Sequence, residues 1–312
     1  MNTIAAPWKA AAKATPHIID IRAVDKALIE RVFARAENIR HRHTDDSLKG
    51  RSMCWISPPK SASTRTRMSF AAAMEDLGGR CRDLPENSSM SGKEESFRDT
   101  VRVVGSYHDV IVIRSTLEQP YEAAQYSPVP VINGGNGPDQ HPSQALLDGF
   151  TIKEKIGLEN LTVAFVGDLF SGRAARTLAL FFAAHYPKKN KFIGVSQPEL
   201  RMKDDVKDAL AAAGVSYQET GRIEDVIGVA DVIYMTRMQK GKKHAHGYPR
   251  LTAELLQKAS RHALVMHPLP RYDDIELPYE IDDFPQAVYL REQLEAGTRV
   301  RKALLQELLL RP

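Results

Sequence analysis

The sequence predicts an α/β protein with parallel sheets, divided into two domains. Short apolar runs rich in β-branched residues alternate with longer stretches of helical spacing, the pattern of strand–helix–strand units. The chain has 312 residues, long for one core and comfortable for two at roughly 100–200 residues per domain. Its composition, 43% hydrophobic and 26% charged, is that of a globular protein and argues against collagen-like, low-complexity or disordered chains.

In the first half, residues 22–40 have helical spacing, as does Met68 to Leu77, a helix closed by Gly78-Gly79. A third helical stretch covers 94–106. Val110-Ile111-Val112-Ile113 and Val129-Pro130-Val131-Ile132 read as buried strands. The helix 142–156 holds the expected domain boundary, near Gly149 or Gly157. Beyond it, Leu161 to Val166 is a strand, 173–185 a helix, Lys191 to Val195 a strand and 203–213 a helix. Asp231 to Met235 and Ala263 to Met266 supply two more strands. Residues 296–312 form a last helix, with Val300, Leu304, Leu305, Leu308 and Leu309 at helical spacing. This helix is expected to pack away from the sheet that precedes it.

Several classes of protein are disfavoured by composition. Lys+Arg 43 against Asp+Glu 39 gives a net charge of +4, too small an excess to point to a nucleic-acid or membrane surface. Cys54 and Cys81 cannot build a disulfide framework or a four-cysteine zinc site. No apolar run approaches the roughly 20 residues of a membrane span. Residues 1–19 carry Lys9 and Lys13 with no acid, yet lack the apolar core of a secretory signal. A short tail on a reduced, soluble, cytoplasmic protein is the expectation.

Charge is sorted along the chain. Basic residues without acids fill 51–67 (Arg51, Lys60, Arg65, Arg67) and 237–250 (Arg237, Lys240, Lys242, Lys243, Arg250), whereas 272–283 carries Asp273, Asp274, Glu276, Glu280, Asp282 and Asp283. A solvated face is the ordinary explanation of such runs. The first segment asks for more. Ser63, Thr64 and Thr66 interleave with Arg65 and Arg67 at a helix start. Capping needs one hydroxyl; hydroxyls, free helical N–H groups and guanidinium forks together make a phosphate site.

A second phosphate loop can be set aside. Gly167-Asp168-Leu169-Phe170-Ser171-Gly172-Arg173-Ala174 follows a strand and opens a helix, but has Arg173 and Ala174 where a Walker loop needs Lys and a hydroxyl. It also lacks the glycine spacing of a dinucleotide site. Arg173 is better suited to gripping a carboxylate. His141, after a turn rich in glycine (Gly134, Gly135, Gly137), and His267 both lie at strand-end loops, where open α/β sheets bind ligands. His244 and His246 make a weak metal pair without carboxylate or cysteine neighbours.

Four motifs then agree on one family. Ser61 to Phe70 (SASTRTRMSF), Gln140-His141-Pro142-Ser143-Gln144, Met235-Thr236-Arg237-Met238-Gln239 and His267-Pro268-Leu269-Pro270-Arg271 resemble the aspartate/ornithine carbamoyltransferases. Their order and spacing are closer to the aspartate carbamoyltransferase catalytic chain than to the ornithine branch. The resemblance runs from about His17 to the C-terminal helix.

The resemblance implies two doubly wound parallel-sheet domains, with the C-terminal helix returning to the first. Residues 1–148 with 291–312 would bind carbamoyl phosphate, and 149–290 the amino acid. It implies a homotrimer with active sites between subunits, and leaves open a larger assembly with a regulatory or dihydroorotase-like partner. Position by position, Ser63, Thr64, Arg65 and Thr66 would hold the phosphate, and Arg114 would bridge phosphate and carbonyl oxygen. His141 and Thr66 would polarise that carbonyl. Gln144 and the backbone carbonyls of Pro268 and Leu269 would hold the carbamoyl NH₂. Ser89 and Lys93 match a loop reaching into the neighbouring site, and Arg173, Arg237 and Gln239 match the residues that grip the two carboxylates of aspartate.

The chemistry is coherent on its own terms. An amine attacks a carbonyl whose oxygen gains charge, so fixed cationic and N–H donors lower the barrier. Departing phosphate can take the amine proton, so no protein base, metal or organic cofactor is required. Alignment of the two substrates contributes on the order of several kcal/mol.

Some positions depart from the family pattern. Ser61 stands where the aspartate branch usually has a domain-closing glutamate, and Lys242 where one of its arginine partners lies. Ser115 replaces a histidine, Asn136 an aspartate and Glu94 a glycine. Carbamoyl phosphate chemistry is retained, and two acceptors follow: L-aspartate, suited to Arg173, Arg237 and Gln239, or another amino acid or amine in specialised metabolism. A third reading, a binding-only regulatory or scaffold paralogue, has no use for Arg65, Arg114 and His141.

Overall fold

In a computed structural model, two separate all-parallel sheets organise the chain. The structure describes residues 16–40, 42–57, 64–84, 95–115, 118–238 and 247–310. Two units divide it: Met1–Ser143 with Gly297–Pro312, and Gln144–Ala296.

The first unit contains α1 (Lys26–Asn38), β1 (Ser52–Ile56), α2 (Thr64–Asp76), β2 (Arg80–Leu84), α3 (Phe97–Tyr107), β3 (Val110–Ser115), α4 (Gln119–Tyr126) and β4 (Val131–Asn136). Its strand order is β2-β1-β3-β4, so the chain reverses direction across the sheet between β1 and β3. Ile18 extends the sheet beyond β4 by a parallel bridge to Ile132. Apolar β1 and β3 side chains pack with Val101, Val104 and Ala123 of the covering helices. Asp25 caps α1 and Ser96 caps α3, each accepting from a backbone N–H of the first turn.

The second unit contains most of α5 (Pro142–Ile156), then β5 (Thr162–Val166), α6 (Arg173–His185), β6 (Lys191–Val195), α7 (Asp204–Ala212), β7 (Ser216–Thr220), β8 (Val232–Met235), the short α8 (Ala253–Leu256) and β9 (Leu264–Met266). Its order is β7-β6-β5-β8-β9, again doubly wound, with the reversal between β5 and β8. Central strands are buried on both faces, which is why they read as continuous apolar runs.

The helices 142–156 and 173–185 and the strand 191–195 have the expected limits. Five elements were not anticipated: β1, β2, α4, β7 and the short α8. β2 and β7 are edge strands with no buried side chain, so they carry little apolar signal. β1 hides inside a segment that reads as basic.

The last helix, α9 (Glu292–Leu309), begins earlier than expected. From Gly297 onward it belongs to the first unit. Val300, Leu304 and Leu305 are fully buried there. Glu307 accepts from Arg31 and Arg35 of α1 at 3.0 and 2.9 Å, and the buried Lys302 ammonium lies 2.7 Å from Asp76 Oδ2 of α2. These charged contacts, unlike the apolar stripe, define which surface the helix returns to.

Among the described residues, no helix is long and apolar enough to cross a membrane. Both cysteines are free, and burial pushes the Cys54 thiol up to about 12 and Cys81 to about 11.

Candidate active site

In the first unit the described site residues lie at or beyond the carboxyl ends of β1, β3 and β4, flanking the reversal point where open α/β sheets take ligands. Thr64 opens α2, with Thr64 and Arg65 exposed and Thr66 buried. Exposed N–H groups and the dipole of this 13-residue helix favour an anion at that end. Thr66 Oγ1 lies 3.2 Å from His141 Nε2, and His141 Nδ1 lies 3.4 Å from Ser143 Oγ.

Arg114 sits at an irregularity between β3 and β4. Ile113 pairs with Asn133 but Ser115 pairs with Asn136, so β4 has one extra residue opposite Arg114. Such a bulge re-aims a side chain. The Arg114 guanidinium donates from Nη1 to Gly134 O at 3.0 Å. Burial lowers its pKa to about 10, which still leaves a cation at neutral pH.

The turn after β4 is held by Asn136. Its Oδ1 accepts from Asn133 Nδ2 and Gln140 N, and its Nδ2 donates to Asp139 Oδ2 at 3.1 Å. An aspartate here would face the Asp139 carboxylate, which gives the Asn136 departure a local cause. Ser115 is buried, and its carbonyl accepts from Gly137 N at 3.0 Å.

Two basic residues expected near the anion site are held by the scaffold. Arg67 makes a two-pronged ion pair with Asp83 of the edge strand β2, and Arg51 pairs with Asp109. Arg67 is therefore corrected from the phosphate cluster to a structural role. In the acidic stretch 272–283, Asp282 and Glu276 are likewise held by the scaffold. Asp282 pairs with Arg271 and accepts from Tyr289, Glu276 accepts from Tyr272 N, and Arg250 donates to Asp274 O.

In the second unit, Arg173, Arg237, Pro268 and Leu269 follow the carboxyl ends of β5, β8 and β9, again flanking the reversal. Arg173 is the first residue of α6. The loop before it is held by Tyr248, whose hydroxyl accepts from Asp168 N at 2.6 Å and donates to Thr236 O at 2.8 Å. Gly167 has φ +116°, and a Cβ there would lie 2.5 Å from Thr236 O, so this crossing requires glycine. Leu269 has φ +51°, and its N–H donates to His267 Nδ1 at 2.8 Å. Gln144 Nε2 donates to Asp148 Oδ1 at 3.0 Å.

Ser63, Ser89, Lys93 and Gln239 lie outside the described residues, as do Ser61, Glu94, Lys242, His244 and His246. Sequence reasoning missed Asp148, Tyr234, Tyr248 and Gln293. Asp148, after Ala145-Leu146-Leu147, and Tyr234, after Val232-Ile233, carry the signal of a polar group in an apolar run, whereas Tyr248 and Gln293 lie in no such run and carry none.

Two α/β units each present cationic groups at a strand-order reversal, the place where open α/β sheets take ligands. Residues 16–154 match the family model described as aspartate/ornithine carbamoyltransferase, carbamoyl-P binding domain, and residues 159–308 match the Asp/Orn binding domain. The chain belongs to the aspartate/ornithine carbamoyltransferase family, and is thus a transferase.

Among similar proteins, aspartate carbamoyltransferase 1, chloroplastic, of Pisum sativum is 40% identical over 310 residues, covering 94% of this chain and 78% of that one. The aspartate carbamoyltransferase catalytic subunit of Methanospirillum hungatei is 38% identical over 307 residues, covering 94% and 99%. Aspartate transcarbamoylase from Trypanosoma cruzi, solved with carbamoyl aspartate and phosphate, superposes with a TM-score of 0.85 at 30% identity, covering 96% of this chain and 98% of that one.

Proposed function

We propose that this protein transfers the carbamoyl group of carbamoyl phosphate to the amino group of L-aspartate, giving N-carbamoyl-L-aspartate and phosphate, a step of pyrimidine synthesis. The observation that carries this reading is the Thr66, Arg114 and His141 set at the carboxyl ends of the strands of the first unit. It supplies a cation and hydrogen-bonding groups suited to a carbonyl oxygen that gains charge. The relatives support the acceptor: the Trypanosoma cruzi enzyme is also solved with carbamoyl phosphate and aspartate.

The first unit would serve carbamoyl phosphate and the second aspartate. Ser63, Thr64, Arg65 and Thr66 take the phosphate, with Arg114 spanning to the carbonyl oxygen. His141 and Thr66 polarise the carbonyl. Gln144 and the carbonyls of Pro268 and Leu269 hold the NH₂, while Arg173, Arg237 and Gln239 take the carboxylates of aspartate. The amine attacks carbon, the C–O bond to phosphate breaks, and a departing phosphate oxygen accepts the amine proton.

A homotrimer with Ser89 and Lys93 acting across subunits completes the reading, as does a cytoplasmic location, although some relatives bear chloroplastic names. Mixing Lys93→Ala with Arg65→Ala chains tests the shared site. Partial recovery of activity is expected, and none despite verified subunit exchange would remove it. The reaction is tested by ureido-product formation with L-aspartate beside a panel of amino acids and amines. Selective turnover of aspartate is expected; turnover with another amine alone would replace the acceptor, and no ureido product with any acceptor would overturn the assignment.

A further inference from the structure

Asp148 lies one turn after Gln144 on α5, fully buried. Its Oδ1 accepts from Gln144 Nε2 at 3.0 Å and from Gln293 Nε2 at 2.6 Å, and its Oδ2 accepts from Tyr234 Oη at 2.6 Å. Gln293 is itself buried, and its Oε1 accepts from the backbone N–H of His267 at 3.1 Å. His267 Nδ1 in turn accepts from Leu269 N at 2.8 Å. One carboxyl group is thereby tied to Gln144 directly and to the His267–Leu269 segment through a single amide.

The direction of these bonds matters more than their number. Three donors on two oxygens suit an ionised carboxylate, which only accepts. An amide next to it must present its NH₂ and turn its oxygen away. For Gln293 that oxygen goes to His267 N–H. For Gln144 it turns the carbonyl oxygen away from Asp148 and leaves it, with the second N–H, for a ligand. Burial holds the Tyr234 phenol well above its ordinary pKa, which keeps it a donor to Asp148.

We propose that Asp148 is a positioning residue that makes the donor site selective for a carbamoyl NH₂, by orienting Gln144 and, through Gln293, the Pro268–Leu269 carbonyls as hydrogen-bond acceptors. The inference rests on the proposed function, in which those acceptors meet the NH₂ of carbamoyl phosphate. An acyl phosphate with CH₃ in place of NH₂ offers them no donor and leaves them unpaired, which is costly in a desolvated site.

The test compares Asp148→Asn with wild type. Asparagine keeps the shape but can also donate, so the neighbouring amides lose their enforced direction. The probes are carbamoyl phosphate, acetyl phosphate and inorganic phosphate, with dissociation constants measured by calorimetry. Wild type is expected to prefer carbamoyl over acetyl phosphate by about tenfold or more. In Asp148→Asn that ratio is expected to fall toward one, while phosphate affinity stays within about twofold, since phosphate lacks the NH₂. A general loosening of the fold would weaken all three together. An unchanged ratio, or parallel weakening of all three ligands, overturns the proposal. If Asp148→Asn does not fold, Gln293→Met, which cuts the link to His267, is measured in the same way and must also lower the ratio. Wild-type turnover of carbamoyl phosphate separates the two readings. Turnover with an unmoved ratio defeats this inference alone, whereas no turnover with any acceptor defeats the proposed function and this inference with it.

Discussion

Arg114 and Gly135 are packed so closely that a Cβ on the glycine would lie 1.8 Å from Arg114 Nη1. Gly135 also has φ +112°, a conformation L side chains rarely adopt. The bulge in β4 thus wraps backbone around a guanidinium, and its carbonyl at Gly134 takes one of the five N–H donors of that fork. Gly135→Ala is expected to displace Arg114, weaken inorganic phosphate binding about tenfold or more, and cost about 1–3 kcal/mol of stability. Calorimetry and urea unfolding on the same protein measure both; unchanged phosphate affinity would count against the role of Arg114.

Thr66, in the first turn of α2, and His141, in the loop before α5, share a hydrogen bond within the first unit. Thr66→Val keeps the shape and removes the hydroxyl. The expected result is a fall in kcat of about 10- to 100-fold, with stability lowered by no more than about 1.5 kcal/mol. A raised KM for carbamoyl phosphate at unchanged kcat would show that Thr66 only binds the donor.

Asn136 and Asp139 form a donor–acceptor pair, with Tyr121 donating to the same carboxylate oxygen at 3.0 Å. Asn136→Asp sets two carboxylates against each other and is expected to cost about 1–3 kcal/mol at neutral pH. The exchange Asn136→Asp with Asp139→Asn restores one donor and one acceptor and is expected to regain most of the loss. Equal instability of the single and double variants in thermal unfolding would refute the pairing argument.

His267 gives stability a pH dependence. Burial holds its imidazole below the ordinary 6.5, with Arg271 and Arg237 acting in the same direction and Glu276 opposing. The unfolded chain therefore binds a proton that the folded one resists as pH falls below about 6.5. The contribution is fully present above that pH and is lost as pH falls from there toward the lowered folded value. Urea unfolding from pH 7.5 to 5.5 is expected to show a shallower loss in His267→Gln than in wild type. Parallel curves would mean that His267 does not titrate differently in the two states.

Much of the fold was legible because its signals are local. The limits of α6 follow from Gly172 before Arg173 and from an apolar run that ends at Tyr186-Pro187, and β6 stands out as Phe192-Ile193-Gly194-Val195 between polar neighbours. Edge strands β2 and β7 were not legible, because a strand exposed on one side need not be apolar. The site motifs were legible as resemblance, through short runs such as Ser63-Thr64-Arg65-Thr66 and His267-Pro268-Leu269.

What the sequence determined by itself is the alternation of strands and helices and the family, and through the family the residues proposed to bear its chemistry. Each depends on neighbours within one turn or one strand. What only the tertiary structure decided is the support behind those residues. Asp148 meets Tyr234 across 86 positions and Gln293 across 145, and Arg67, basic in the sequence, is claimed by Asp83. A hydrogen bond or ion pair is selected by distance in space and by the cost of burying an unpaired group, and the folded chain defines both.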